Sequence, residues 1–206
     1  MQVSHLYTDK YDVMGGRISG SICSLRRERL HSGSMSATDR LFLDCSVRRL
    51  EELAPRIETC LAKLTVEQVW ARGGENENAI ANLVLHLCGN MRQWIISGVG
   101  GQADTRDRDG EFDARGGASI AELSVRLNQT VGEAAKVIAA IPPERLTEPI
   151  EVQGYHVTVL EAVYHVVEHF SMHTGQILFA TKMLTGDDLG FYRHLRGKRS
   201  WAGKTG

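Results

Sequence analysis

The sequence contains no cysteine pair at a spacing typical of redox or metal sites. Its four cysteines, Cys23, Cys45, Cys60 and Cys88, are widely separated and form no CxxC motif. Small secreted domains that depend on disulfides carry cysteines at a much higher density. We therefore expect four reduced thiols in a cytoplasmic protein.

An excess of charge of one sign and long apolar runs are also missing. The 206 residues include 24 Lys and Arg and 25 Asp and Glu, for a net charge of −1. The chain thus lacks the basic face that neutralises phosphates in nucleic-acid-binding proteins. No apolar run approaches the roughly 20 residues that span a bilayer, and the N-terminus has no apolar signal-peptide centre. We expect a soluble protein without nucleic-acid or membrane partners.

The composition predicts one globular domain with two tails. A hydrophobic fraction of 42% is enough for a full core. Residues 1–36 are rich in Gly, Ser and Arg and have no helical period. We expect them to be a disordered arm, or an over-extended translation start with Met35 as the true first residue. Residues 37–195 are assigned to the domain and residues 196–206 to a flexible tail.

Four stretches show the apolar period of amphipathic helices, at residues 37–64, 78–97, 119–140 and 158–184. S/T-x-x-E patterns at Ser119 and Thr158 predict capping boxes that begin the third and fourth helices, and Gly186 is expected to end the fourth. Residues 146–157 are expected to form a small two-stranded feature. The pattern predicts an all-α four-helix bundle, in which the connections after the second and third helices are long enough to cross the bundle.

The fourth helix carries His165, His169 and His173 at a spacing of four. Each step turns the helix by about 40° and advances it by about 6 Å, so neighbouring members can share a metal ion. The outer pair lies about 12 Å apart along the axis, which is too far for zinc–nitrogen bonds of about 2.0–2.1 Å. Spacing alone leaves His165/His169 and His169/His173 both open. Gln176, on the same face, favours the later pair because its amide could orient a ligand.

A further ligand is expected from the second helix. His86 lies in an apolar face, in a polar line at spacing four with Asn82 and Asn90. A lone histidine on such a face is usually a core residue. The flanking amides favour a ligand here, because ligating imidazoles donate their second N–H to a nearby acceptor. His86 and one pair from the fourth helix would make a three-histidine site, leaving a fourth position for water or substrate.

Other metal and catalytic motifs do not fit the sequence. In HExxH the glutamate directly follows the first histidine, whereas Glu168 directly precedes His169. A di-iron bundle needs Glu-x-x-His on two helices, and Glu168 has no histidine at that spacing. The sequence also shows no P-loop and no Ser-His-Asp grouping. The three-histidine site therefore has no rival motif.

The loop at residues 98–117 is rich in Gly and Asp. It contains three carboxylates in five residues, but their spacing is not that of an EF-hand, which argues against calcium. The loop is either a solvated connection or a cover over one end of the bundle. In the second case Arg108 or Glu111 would lie near a ligand.

Two runs of the sequence resemble the DinB/YfiT-like superfamily. One is NAIANLVLHLCGN, at residues 78–90 on the second helix, and the other is HFSMHTGQI, at residues 169–177 on the fourth. The resemblance covers about residues 37–195 and leaves the N-terminal arm unmatched. It implies a four-helix bundle with crossover connections, usually a homodimer, that binds zinc or nickel through three histidines.

By matching position, the resemblance implies three metal ligands: His86, His169 and His173. Three amides are expected to surround these ligands and orient them: Asn82, Asn90 and Gln176. His165 matches no ligand, so we expect it beside the ligands or in the core. Glu168 adjoins a ligand but points about 100° around the helix. The sequence therefore identifies no general base, and the catalytic group would be a metal-bound water or thiolate.

The resemblance also implies a class of activity. The superfamily includes thiol S-transferases that use bacillithiol or mycothiol, and a mycothiol-dependent isomerase. An open metal position can bind a thiol as its thiolate, or hold a water that hydrolyses a substrate. The leading hypothesis is a metal-dependent thiol S-transferase with a small-molecule substrate. The alternatives are a metal-dependent hydrolase and a non-catalytic, metal-binding stress-response dimer.

Overall fold

The computed structural model describes residues 36–195. The predicted N-terminal arm, the start at Met35 and the C-terminal tail therefore lie outside the described residues and stay predictions. The helices are α1 (Ala37–Leu61), α2 (Val66–Val69), α3 (Ile80–Met91), α4 (Arg108–Asp113), α5 (Ile120–Ala139) and α6 (Val159–Thr185). A π-helix, Arg92–Val99, continues α3, and 3-10 turns occupy Pro143–Thr147 and Arg193–Leu195. Two strands, β1 (Pro149–Val152) and β2 (Tyr155–Thr158), precede α6.

Local sequence signals set the ends of the last two long helices. Ser119 and Thr158 each accept a hydrogen bond from the backbone three residues on, and the glutamate there bonds back, so both predicted capping boxes form. Gly186 ends α6 in the left-handed conformation, with φ of 71°. The predicted extended feature is an antiparallel hairpin. Its turn residues, Gln153 and Gly154, both have positive φ, as a two-residue hairpin turn requires.

The four long helices form the predicted all-α bundle. α1 packs against α5 and α6, and α3 packs against the same two helices. The order around the bundle is therefore α1, α5, α3, α6. The connection from α5 to α6 crosses the bundle, as its length allowed. α3 and α5 are instead neighbours, and the other crossing connection is the one from α1 to α3.

One continuous core fills the bundle, with Leu50 and Ile57 of α1, Leu87 of α3, Leu127 of α5 and Phe170 of α6 fully buried. The described cysteines, Cys45, Cys60 and Cys88, are all free. Within residues 36–195, no helix combines the length and apolar character needed to cross a membrane. The polar side chains inside the α3–α6 contact include the histidines and Asn90.

Candidate metal centre

Three imidazoles from two neighbouring helices converge between α3 and α6. The Nε2 of His169 lies 3.0 Å from the Nε2 of His86 and 3.2 Å from that of His173. One ring nitrogen from each lies within 4.8 Å of the others, so the group could hold a metal ion. Two nitrogens on one tetrahedral zinc, at bonds of about 2.0–2.1 Å, are about 3.3–3.4 Å apart. The two distances to His169 are close to this value, and the nitrogens of His86 and His173 lie within 4.8 Å of each other.

Burial favours the uncharged form of these imidazoles. It lowers the pKa of His86 and of His173, and it lowers that of His169 to about 2, with added repulsion from the other two rings. Neutral imidazole is the form that binds a metal ion. His86 is 6% exposed, whereas His169 and His173 are half-buried. The two histidines of α6 are thus partly accessible to solvent, whereas His86 is enclosed.

Gln176 contacts a candidate ligand directly. Its Oε1 lies 2.6 Å from the Nδ1 of His173. Because an amide oxygen only accepts, Nδ1 of His173 carries the proton and its Nε2 offers a lone pair to the cluster. The Nδ1 of His169 is buried without a hydrogen-bond partner among residues 36–195. Gln176 thus orients the ring of His173, whereas the ring of His169 is held by packing.

His165 has a different environment from the converging histidines. Its ring stacks on Trp94 of the π-helix, with centroids 4.1 Å apart, and Asn90 Nδ2 lies 3.3 Å from its Nε2. The ring of His169 is 5.5 Å away. Asn90 was expected beside the ligands, and it contacts this neighbouring histidine instead. Burial lowers the pKa of His165 as well.

Asn82 holds the covering loop against α3. Its side-chain oxygen accepts hydrogen bonds from the Ala79 backbone at 3.1 Å and from Arg72 at 2.7 Å. Its Nδ2 donates to the carbonyl oxygens of Glu111 and Ala114, at 2.8 and 3.0 Å. Within the described chain, none of these bonds reaches an imidazole. Asn82 therefore acts on the site through the loop.

The loop covers one end of the bundle, and it supplies an ion pair that contacts His86. Glu111 Oε2 lies 3.0 Å from His86 Nδ1. Arg106 binds both carboxylate oxygens of Glu111 at 2.8 Å. Burial on its own would raise the pKa of Glu111, but hydrogen bonds from Arg106 and His86 and the nearby charges lower it overall. Arg108 lies over the ring of Phe112, and that ring is 4.6 Å from His86.

Sequence reasoning identified Glu111 as a candidate but missed Arg106. A charged residue in a loop has no periodic signal, and α4, which carries Glu111, is only six residues long. Five carboxylates and three arginines within residues 104–115 look alike in the sequence. The side chain of Arg106 is distinguished by being only 2% exposed, which only the folded structure reveals.

The chain is similar to a known protein family and to solved structures. Residues 37–197 match the DUF1572 family, which is described as proteins of unknown function. The chain belongs to this family. A conserved protein from Enterococcus faecalis has the same fold with a TM-score of 0.62 at 18% identity, covering 75% of this chain and 100% of that one.

A DinB-like protein from Bacillus subtilis, YjoA, is similar to this DUF1572 protein with a TM-score of 0.56 at 16% identity. The match covers 72% of this chain and 97% of that one. At these identities the likeness shows the fold alone, and that fold is the DinB-like bundle that the sequence resemblance implied. No curated protein matches the chain. The function must therefore be argued from the site.

Proposed function

We propose that this DUF1572 protein binds a divalent metal ion, Zn²⁺ or Ni²⁺, through His86, His169 and His173 and is a thiol S-transferase. It would act in the cytoplasm on a small-molecule electrophile, with bacillithiol or mycothiol as the co-substrate. The observation that carries the proposal is the approach of three neutral ring nitrogens within 4.8 Å of one another. A bound ion would favour the thiolate form of a coordinated thiol at neutral pH.

The protein side chains supply binding and orientation. Three nitrogen donors would leave room for a further ligand at the ion. The partial exposure of His169 and His173 supports access to that position from solvent. Gln176 fixes the ring of His173 through its Nδ1. His86, Phe112 and the loop that covers them close the opposite side of the cluster.

Thiol transfer fits the site better than hydrolysis. A metal-dependent hydrolase uses a general base within hydrogen-bond reach of the attacking water. Glu111, the carboxylate beside the cluster, is held by Arg106 and His86, and its lowered pKa makes it a poor proton acceptor. A thiol that is already ionised needs no such base.

Elemental analysis tests the metal site. Purified wild-type protein is expected to carry one ion per chain. His86→Ala, His169→Ala and His173→Ala each remove a donor and should abolish stoichiometric metal. His165→Ala is the matched control and should keep the ion, since its ring stacks on Trp94 outside the group. Loss of metal in His165→Ala together with retention in His173→Ala would place the site one turn earlier.

The reaction is tested with metal-loaded protein, bacillithiol or mycothiol, and monochlorobimane as the electrophile. We expect a fluorescent thiol–bimane adduct to form with wild-type protein and not with His173→Ala. Cleavage of esters or amides without adduct formation would contradict thiol transfer and favour a metal-dependent hydrolase. If neither reaction occurs in a protein that holds the ion, the alternative is a non-catalytic, metal-binding stress-response dimer.

We also infer that the chain forms a homodimer through the outer face of α6. Tyr164, Met172, Phe179 and Met183 are exposed on this helix. At about 100° per residue they all point to one side of it. Clustered apolar side chains of this kind mark association surfaces on many soluble proteins.

A further inference from the structure

The ion pair of Arg106 and Glu111 is fixed to one face of the helix that carries His86. Glu111 contacts the His86 ring, and Arg106 Nη1 donates to Gln93 Oε1 at 2.9 Å. Gln93 in turn donates to Asp104 at 2.7 Å. Positions 86, 89 and 93 lie on one side of the helical segment, since they are three and four residues apart. The pair therefore lies along this face, with Gly89 in the middle.

Gly89 leaves the space that the ion pair occupies. A Cβ at this position would collide with the Glu111 carboxylate, 2.6 Å from its Cδ, and would lie 2.9 Å from Arg106 Nε. Such distances are shorter than van der Waals contact, so any side chain here would displace the carboxylate. Glycine in a helix interior is less favourable than alanine. Contact with the ion pair gives a physical reason for the glycine.

The hydrogen-bond partners of His86 indicate which of its nitrogens carries the proton. Nδ1 has two neighbours, Glu111 Oε2 at 3.0 Å and Arg106 Nη2 at 3.1 Å. Arg106 Nη2 is 2.8 Å from the same Glu111 oxygen, which accepts its proton. A hydrogen bond to an ionised carboxylate is stronger than one between neutral groups, and Oε2 can accept a second donor besides Arg106, so we assign Nδ1–H of His86 as a donor to Glu111. The Nε2 lone pair of His86 then faces the other two histidines.

We propose that Glu111, held by Arg106 and admitted by Gly89, is a positioning residue that fixes the tautomer and ring orientation of His86 for metal binding. The proposal rests on the metal site proposed above. A carboxylate that accepts the second N–H of a ligating imidazole makes the imidazole a better ligand, and its loss typically costs about 10–100-fold in metal affinity. Glu111 touches neither metal nor substrate in this role.

The tautomer can be measured without any metal. In metal-free, ¹⁵N-histidine-labelled protein we expect His86 and His173 to be protonated on Nδ1, facing Glu111 and Gln176. His169 should then carry its proton on Nε2, which lies within 3.2 Å of both other Nε2 atoms. In Glu111→Ala, His86 should lose its preference for Nδ1–H, while His173 keeps its own. Protonation of His86 on Nε2 in the wild-type protein would overturn the proposal.

Metal affinity provides the second test, by competition for Zn²⁺ with a chromophoric chelator. Glu111→Ala and Gly89→Ala should each weaken binding by about 10–100-fold, although Gly89→Ala leaves Glu111 and all three histidines unchanged. Gly132→Ala is the matched control, because it is also inside a helix and a Cβ there meets nothing within 4 Å. It should bind Zn²⁺ as the wild type does.

The two tests separate the two proposals. A wild-type protein that binds neither Zn²⁺ nor Ni²⁺ would refute the metal site, while the tautomer of His86 would still be measurable. Wild-type affinity in both Glu111→Ala and Gly89→Ala would refute positioning by Glu111 and leave the metal site intact. Glu111→Gln, which keeps an acceptor oxygen for Nδ1–H, should bind Zn²⁺ more tightly than Glu111→Ala.

Discussion

The four histidines between α3 and α6 make the metal-free protein sensitive to acid. Burial lowers the pKa of His86, His165, His169 and His173 below the ordinary value of 6.5, and that of His169 to about 2. Below about pH 6.5 these histidines bind protons in the unfolded chain but not in the folded chain. The free energy of unfolding therefore decreases as the pH is lowered. Above about pH 7 these groups are neutral in both states and have no effect.

Thermal denaturation of chelator-treated protein measures this effect. We expect the melting temperature to fall between pH 7.5 and pH 5.5, and the fall to be smaller in His169→Gln, which removes the group with the most depressed pKa. His156→Gln is the control, because His156 is exposed on the hairpin, and it should leave the slope unchanged. A melting temperature that stays constant or rises on acidification would contradict the prediction.

At the residue scale, the sequence reveals groups that repeat along an element. The three histidines of α6 could be found because their spacing matches the helical period, and His86 because it interrupts an apolar face. Whether Asn82 and Asn90 touch a ligand depends on what packs across from each. Asn90 faces His165 and Asn82 faces the loop, and neither neighbour could be placed before the fold was known.

At the element scale, the π-helix is the largest departure from the predicted pattern. The sequence predicts one helix over residues 78–97, whereas α3 ends at Met91 and the π-helix continues to Val99. Cys88 and Met91 before this boundary and Trp94 and Ile95 after it are all buried, so the period gives no sign of the wider turn. The extension places Trp94 on His165 and Gly98 against the hairpin.

Gly98 and Val152 form a close contact between the π-helix and β1. A Cβ at Gly98 would collide with Cγ2 of Val152, a side chain that is 4% exposed. Gly98→Ala should therefore destabilise the protein by about 1–3 kcal/mol through overpacking. Val152→Ala should also destabilise it, because it removes buried methyl groups.

Chemical denaturation of the double variant tests whether this contact is the cause. With Val152 shortened, the new methyl group at position 98 has space, so Gly98→Ala/Val152→Ala should cost clearly less than the sum of the single changes. Additive losses would show that Gly98→Ala acts on the π-helix itself. Gly132→Ala, where the added methyl is unobstructed, should be neutral or stabilising.

At the scale of the whole molecule, the class of fold follows from four amphipathic periods and the caps at Ser119 and Thr158. The order in which the four helices pack around the bundle does not follow from these signals. The connections at residues 62–79, 100–119 and 140–158 are all long enough to cross the bundle, and helices with similar apolar stripes can pack in several orders. The order is decided by side-chain fit across the core, where α3 lies beside α5 and α6. That order is what brings His86 to His169.

The outer face of α6 provides the last prediction, on assembly. Tyr164, Met172, Phe179 and Met183 are exposed there and span about 28 Å along the helix, a length that a partner copy could cover. We expect sedimentation of wild-type protein at micromolar concentration to give a dimer and Phe179→Glu/Met183→Glu to give a monomer, because charges would then be buried in the contact. Val125→Glu, on an exposed apolar site of α5, should remain dimeric. A wild-type monomer, or dissociation of both variants alike, would remove α6 as the interface.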